Sequence, residues 1–214
     1  MNTKIANAAS IYFETLFELN QKLILLCGKG NENFEDDKTL LDVIHNIPRV
    51  IPFGSQKGKT DVCIQNKNGL LEFKDEVSYL EVDYKAMIEK HQDTLVRIKQ
   101  IRNKSEHIMH RATVSALLWD SRHSYHFTYD FNFIDPSDKG ADMVSIESDE
   151  LIALVKDLNV LFSKLQNDIR TMARDMNLTD TKFYRRVSCF DFSDFNRVYD
   201  SELLGLLGKI IVGY

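Results

Sequence analysis

Three features of the 214-residue sequence predict a mainly α-helical fold: an up-and-down bundle of four or five helices with one inserted β-hairpin. Apolar residues recur at three and four over long stretches, the period of a helix face. Chain breakers are scarce, with only 9 Gly and 3 Pro. One segment after Trp119 switches to period two, the mark of a strand. A length of 214 residues with 43% apolar content suffices for one core, so a single domain over 1-214 is expected.

The first helix spans Thr3 to Cys27, where Tyr12, Phe13, Leu16, Leu19, Leu23 and Leu26 keep the helical step and Gly28 and Gly30 stop it. Leu40, Leu41 and Ile44 sketch a short helix that must end before Pro48, because proline disfavours helix in the residue preceding it. Residues 46–60 read as loop. Between Asp61 and Phe73, two short apolar runs flank Asn66-Lys67-Asn68-Gly69, which predicts a small hairpin or an extended loop.

A long helical pattern opens near Val82 with Tyr84, Ile88, His91, Leu95 and Ile98. Its cadence then falls on Arg102 and Ser105, so the seam turns polar there. Helical spacing resumes through Ile108, Ala112, Ala116 and Leu117, giving either one helix through about residue 118 or two helices joined at a bend. Asn103 followed by Glu106 matches a capping box and favours a bend or restart at Asn103.

From His123 to Phe133 an aromatic ring stands at every odd position, which predicts a strand with one aromatic face. Asp135 to Gly140 is the turn and Met143 to Ile146 the returning strand, so a hairpin insertion near 122-146 is expected. Ser148, Asp149 and Glu150 then make an N-cap and an acidic first turn. The helix they open carries Leu151, Leu158, Leu165 and Met172 alternating with Val155, Phe162, Ile169 and Met176, a seam that demands burial. A tail near 179-214 mixes Lys182, Arg185 and Arg186 with aromatic residues and closes on the apolar segment Leu203 to Val212.

The 27 basic and 32 acidic residues give a net charge of −5, which excludes a chain-wide polycation that coats nucleic acid and leaves room for a local basic patch. Cys27, Cys63 and Cys189 are far apart and odd in number, so reduced thiols in a cytoplasm are expected rather than a disulfide framework. No signal peptide and no membrane span are expected, because charged residues interrupt every apolar stretch.

Three constellations invite a chemical reading. Gly54-Ser55-Gln56-Lys57-Gly58-Lys59-Thr60 approaches a phosphate-binding loop but has three residues between its glycines where the fingerprint needs four, so a flexible basic loop is expected. The pairs His107/His110 and His123/His126 have spacing that could hold a metal on a helix, yet the second falls on a predicted strand, where it splits across two faces. No metal and no cofactor are expected. Lys85 to Arg111 carries seven basic and three acidic residues, whereas Asp135 to Asp157 carries seven acidic and two basic. Such polarity is ordinarily two solvated faces that attract each other, and a basic segment centred on a polar break in a helix is also where a phosphate backbone can dock.

At that break lies Ile101-Arg102-Asn103-Lys104-Ser105-Glu106-His107, an Arg-Asn-x-x-x-His motif late in a helical chain. It resembles the signature of the HEPN superfamily of small all-helical proteins. The resemblance covers the motif and the helical frame over roughly 80–180, and excludes the hairpin and the tail. It implies a metal-independent endoribonuclease of the toxin-antitoxin, antiviral-defence or RNA-processing kind, with RNA as substrate. It also implies a homodimer in which two motifs converge, and an antitoxin or defence-system partner. Arg102, Asn103 and His107 are then the expected catalytic residues, flanked by Lys99, Lys104, His110 and Arg111 as substrate contacts.

The residue types suit that chemistry. Histidine is the side-chain type whose unperturbed pKa suits proton transfer near neutral pH, which His107 can supply, and Arg102 is a permanent cation that can hold the scissile phosphate. Asn103 can orient the histidine or bond the phosphate. In an unbroken helix Asn103 and His107 share a face, while Arg102 and His107 differ by about 140°. Arg102 must therefore reach around, or the helix must bend. The rival expectation is a non-catalytic RNA- or nucleotide-binding protein or a partner-binding adaptor, in which the aromatic strand and the long seam form an interface and the motif is structural.

Overall fold

The computed structural model describes residues 3–28, 37–51, 80–107, 110–119, 125–134, 141–177 and 191–201, together with Lys182 and Arg185. The hairpin expected over 61–73, the phosphate-loop-like stretch 54–60, most of the tail, Cys63 and Cys189 lie outside the described residues.

The fold is mainly helical with antiparallel strands inserted. In chain order the described elements are α1 (Thr3–Gly28), α2 (Asp37–Asn46), a 3-10 turn (Ile47–Val50), α3 (Glu81–Lys90) and α4 (Gln92–His107). Strands β1 (His110–Trp119), β2 (Tyr125–Ile134) and β3 (Ala141–Glu147) follow, then α5 (Ser148–Asp175) and α6 (Phe192–Tyr199). The α2 helix ends at Asn46, and the 3-10 turn that carries Pro48 takes the first positions of the expected loop.

The long helical pattern is corrected in two places. It breaks at His91 rather than at Asn103, since α4 runs without interruption from Gln92 to His107. It also stops at His107, where helix to about residue 118 was expected; His110–Trp119 is a strand. Ala112, Ala116 and Leu117 fit a helical step, but Thr113, Val114 and Trp119 suit a pleated surface, and β2 offers a neighbour along its whole length. The alternation of Ala112, Val114 and Ala116 is short and gives way to the apolar run Leu117-Leu118-Trp119, and a register shift falls between Val114 and Ala116. The hairpin of β2 and β3 thus gains a third strand, in the order β1-β2-β3.

The aromatic face of β2 is buried at Tyr129, Phe131 and Phe133, with the last two rings stacked at 6.3 Å. Leu151, Val155, Leu158, Phe162, Leu165 and Ile169 of α5 are buried as the seam requires, but Met172 and Met176 are 42% and 51% exposed, and Ala173 takes the buried position instead. The cap of α5 lies one residue earlier than expected: Glu147 is the N-cap and forms a reciprocal capping box with Glu150, while Ser148 is fully buried. Asp191 caps α6 by accepting from the Ser193 amide at 3.0 Å, and bonding to Ser193 holds its carboxyl below the usual range.

Helices α1, α5 and α6 meet at Phe13, Phe162 and Phe192, whose rings lie 5.6–6.2 Å apart. Beside them runs a buried polar network. Asn20 donates to Asn159 at 2.7 Å, Asn159 donates back at 2.8 Å and to Asn196 at 2.8 Å, and the Tyr199 hydroxyl donates to Asn20 Oδ1 at 3.0 Å. Each buried amide finds partners on another helix, so the network fixes the relative register of all three. Cys27 is buried here as well, and burial, then the nearby Asp149 charge, pushes its thiol up to about 12. It is therefore protonated and unreactive at neutral pH.

At the α3–α4 break, buried His91 and exposed Lys90 each lie 2.7 Å from Asp157 Oδ2 of α5. Burial would raise the Asp157 carboxyl, but the Lys90 and His91 hydrogen bonds outweigh it and hold the group below its ordinary value. A depressed carboxyl stabilises the fold above its unfolded pKa, near 4 for aspartate, and that contribution disappears as pH falls through the folded value. Asp157→Asn is accordingly expected to cost on the order of 1 kcal/mol at neutral pH, a difference from wild type that closes as the solution is acidified below about pH 4. Denaturant titrations of both proteins across that range check it; a difference that persists in acid would contradict the assignment.

Candidate functional site

The motif lies on the last turns of α4. The buried side of this helix is Leu95, Ile98 and Ile101. At about 100° per residue, Arg102 and Ser105 continue that stripe, and both are half-buried. Asn103 is exposed, and His107 occupies a position one turn beyond it on the same side, about half a turn round from Ile98. Since α4 is continuous, the divergence of roughly 140° between Arg102 and His107 stands. One helix therefore brings Asn103 and His107 to one face and places Arg102 on another.

The flanking residues expected to contact substrate divide. Lys99 is half-buried on α4. Lys104 forms an ion pair with Asp142 of β3, and its Nζ stands 5.4 Å from the centre of the Phe133 ring. The strand register explains this meeting, because His110, Phe133 and Asp142 are direct partners across β1, β2 and β3. Among the described residues only the pair Ile134–Ala141 lies beyond that row. Its neighbouring row joins Arg111, Asn132 and Met143. His110 and Arg111 are thus brought to the motif end of the sheet by backbone pairing.

The charge polarity of the sequence is largely answered within the fold. Lys90 pairs with Asp157, Arg97 with Glu150 and Lys104 with Asp142, each joining the basic segment to the acidic one. Pairs this exposed contribute about 0–1 kcal/mol each, so they orient α3 and α4 against β3 and α5 more than they hold them. A cleft of about 320 Å³ between α3 and α5 is lined by the pairs Lys90–Asp157 and Lys164–Asp83 with Met87 and Val160, and no motif residue reaches it.

No family model, no curated protein and no solved structure matches the chain. Among the described residues no group of three or more His, Cys, Asp or Glu side chains is placed to hold a metal ion. His126 lies within β2, opposite Leu118, and His123 is outside the described residues. No described helix is long and apolar enough to cross a membrane.

One histidine that sequence reasoning passed over stands close to the motif. His45, in the last turn of α2, places Nε2 3.1 Å from Ser105 Oγ. Sixty positions separate the two residues, and no local pattern could have joined them. Asp142 was missed for the same reason, although the acidic balance of its segment was a general signal that a partner for α4 lay there.

Proposed function

We propose that this chain is an HEPN-like, metal-independent endoribonuclease acting as a homodimer. What supports the reading is that the motif occupies the last turns of one continuous helix, with Asn103 exposed and Arg102 half-exposed. In the proposed reaction the ribose 2′-hydroxyl attacks the adjacent phosphate. The O2′–P bond forms as the P–O5′ bond breaks, one proton leaves O2′ and one is delivered to O5′. His107 serves in these proton transfers, and Arg102 stabilises charge on the phosphate oxygens. Asn103 orients His107 or bonds the phosphate. His110 and Arg111, at the start of β1, extend the contact along the RNA backbone, as Lys99 does from the helix. Lys104, paired with Asp142, acts there only by exchanging that partner for phosphate.

The adaptor alternative needed the aromatic strand and the α5 seam as an interface. Tyr129, Phe131 and Phe133 of the strand and the seam from Leu151 to Ile169 are buried within the protomer, so these parts do not serve a partner. The experiment that tests the nuclease reading is cleavage of single-stranded RNA by the purified chain in excess chelator. Activity is expected to persist unchanged. Loss in chelator with rescue by a divalent ion would reject the mechanism and return attention to the histidines around His107 and His110.

A further inference from the structure

The inference rests on the RNA-cleaving reading and deepens it. Arg102 is the cation of the proposed site, and His45 is a histidine tied to its turn of helix. Ser105 Oγ donates to the Arg102 carbonyl oxygen at 3.0 Å, while His45 Nε2 lies 3.1 Å from the same Oγ. A serine hydroxyl has one proton. With that proton given to the Arg102 carbonyl, the contact with His45 is a hydrogen bond only when Nε2 carries hydrogen. The bond is therefore completed by the Nε2–H form of His45.

We propose that His45 is a positioning residue for Arg102, acting through Ser105. The turn gains from such support because helix ends fray and α4 ends at His107, five residues beyond Arg102, so the Ser105 hydroxyl is a tether added to the helical bonding of that turn. The other end of the link is firm: α2 is anchored by Leu40, Val43 and Ile44, all buried. The chain of donors therefore ties the turn that carries Arg102 to the packed core, on the side of α4 away from His107. A cation that must meet a phosphate is sensitive to small displacements, since a misplacement of about 1 Å can cost on the order of 100-fold in rate.

The test is single-turnover cleavage of a single-stranded RNA oligonucleotide by the full chain, across about pH 5 to 9, at a temperature where circular dichroism shows every variant folded. His45→Ala and Ser105→Ala are each expected to lower the rate about ten-fold or more. His45→Gln, whose amide nitrogen can donate from the position of Nε2, is expected to stay within about three-fold of wild type with an unshifted pH profile. A His45→Ala rate equal to that of wild type overturns the proposal, as does a His45→Gln rate as low as that of alanine with an altered pH profile, which would make His45 a titrating group. Absence of cleavage by the wild type is a different result: it overturns the nuclease reading itself, and the positioning role with it.

Discussion

His107→Ala is expected to abolish RNA cleavage and leave the fold intact. A positioned acid or base accounts for about 100- to 10,000-fold in rate, and alanine offers nothing to replace it. The expected cost in stability is small for two reasons. The position lies about half a turn round α4 from the buried Ile98, and surface substitutions usually stay within about 0.5 kcal/mol. Alanine is also the best helix former, so the last turn of α4 does not suffer from the exchange. Cleavage rates and denaturant midpoints measured side by side decide the matter. A variant that unfolds would assign His107 to structure, and one that cleaves at the wild-type rate would remove it from the chemistry.

The second large effect concerns two inactive proteins that become active when mixed. Because α4 runs without interruption through Asn103, helical spacing sets positions 102 and 107 on different sides of the helix. A two-fold interface that sets two motifs face to face lets each phosphate meet Arg102 from one protomer and His107 from its partner. Arg102→Ala and His107→Ala proteins should each be inactive alone. After subunit exchange, a mixed dimer retains one cleft built from the two unmutated side chains. Exchange at random gives about half mixed dimers, each with one good cleft of two, so recovery approaching one quarter of wild-type activity is expected. No recovery despite demonstrated exchange would show that the groups act within one chain, and a monomer at micromolar concentration would end the proposal of a shared site.

Several elements were legible in the sequence because local periodicity and burial coincide there. The α1 helix keeps its step from Thr3 onward, and the α5 seam is buried at Leu151, Val155, Leu158, Phe162, Leu165 and Ile169. The aromatic alternation of β2 declared both its strand character and its buried face, because a side-chain period of two has no helical competitor over so many residues. The segment after His107 was less legible. Ala112 and Ala116 satisfy both periods, the alternation ends at the apolar run Leu117-Leu118-Trp119, and the contact that selects a strand is the whole length of β2, which no window of local sequence contains.

The site divides along the same line. By itself the sequence determined that Arg102, Asn103 and His107 stand on one basic helical segment, and helix geometry already separated Arg102 from His107. Only tertiary structure decided where the helix breaks, since the capping pattern at Asn103 was overruled and the break fell at His91, where Asp157 of α5 meets both His91 and Lys90. Tertiary structure likewise set Lys104 against Asp142, brought His45 to Ser105, and joined Asn20, Asn159 and Tyr199 in the core. The physical reason is the range of the forces concerned. Periodicity and capping act over a few residues, whereas hydrogen bonds and ion pairs form between whatever groups packing brings within about 3 Å, however distant they are along the chain.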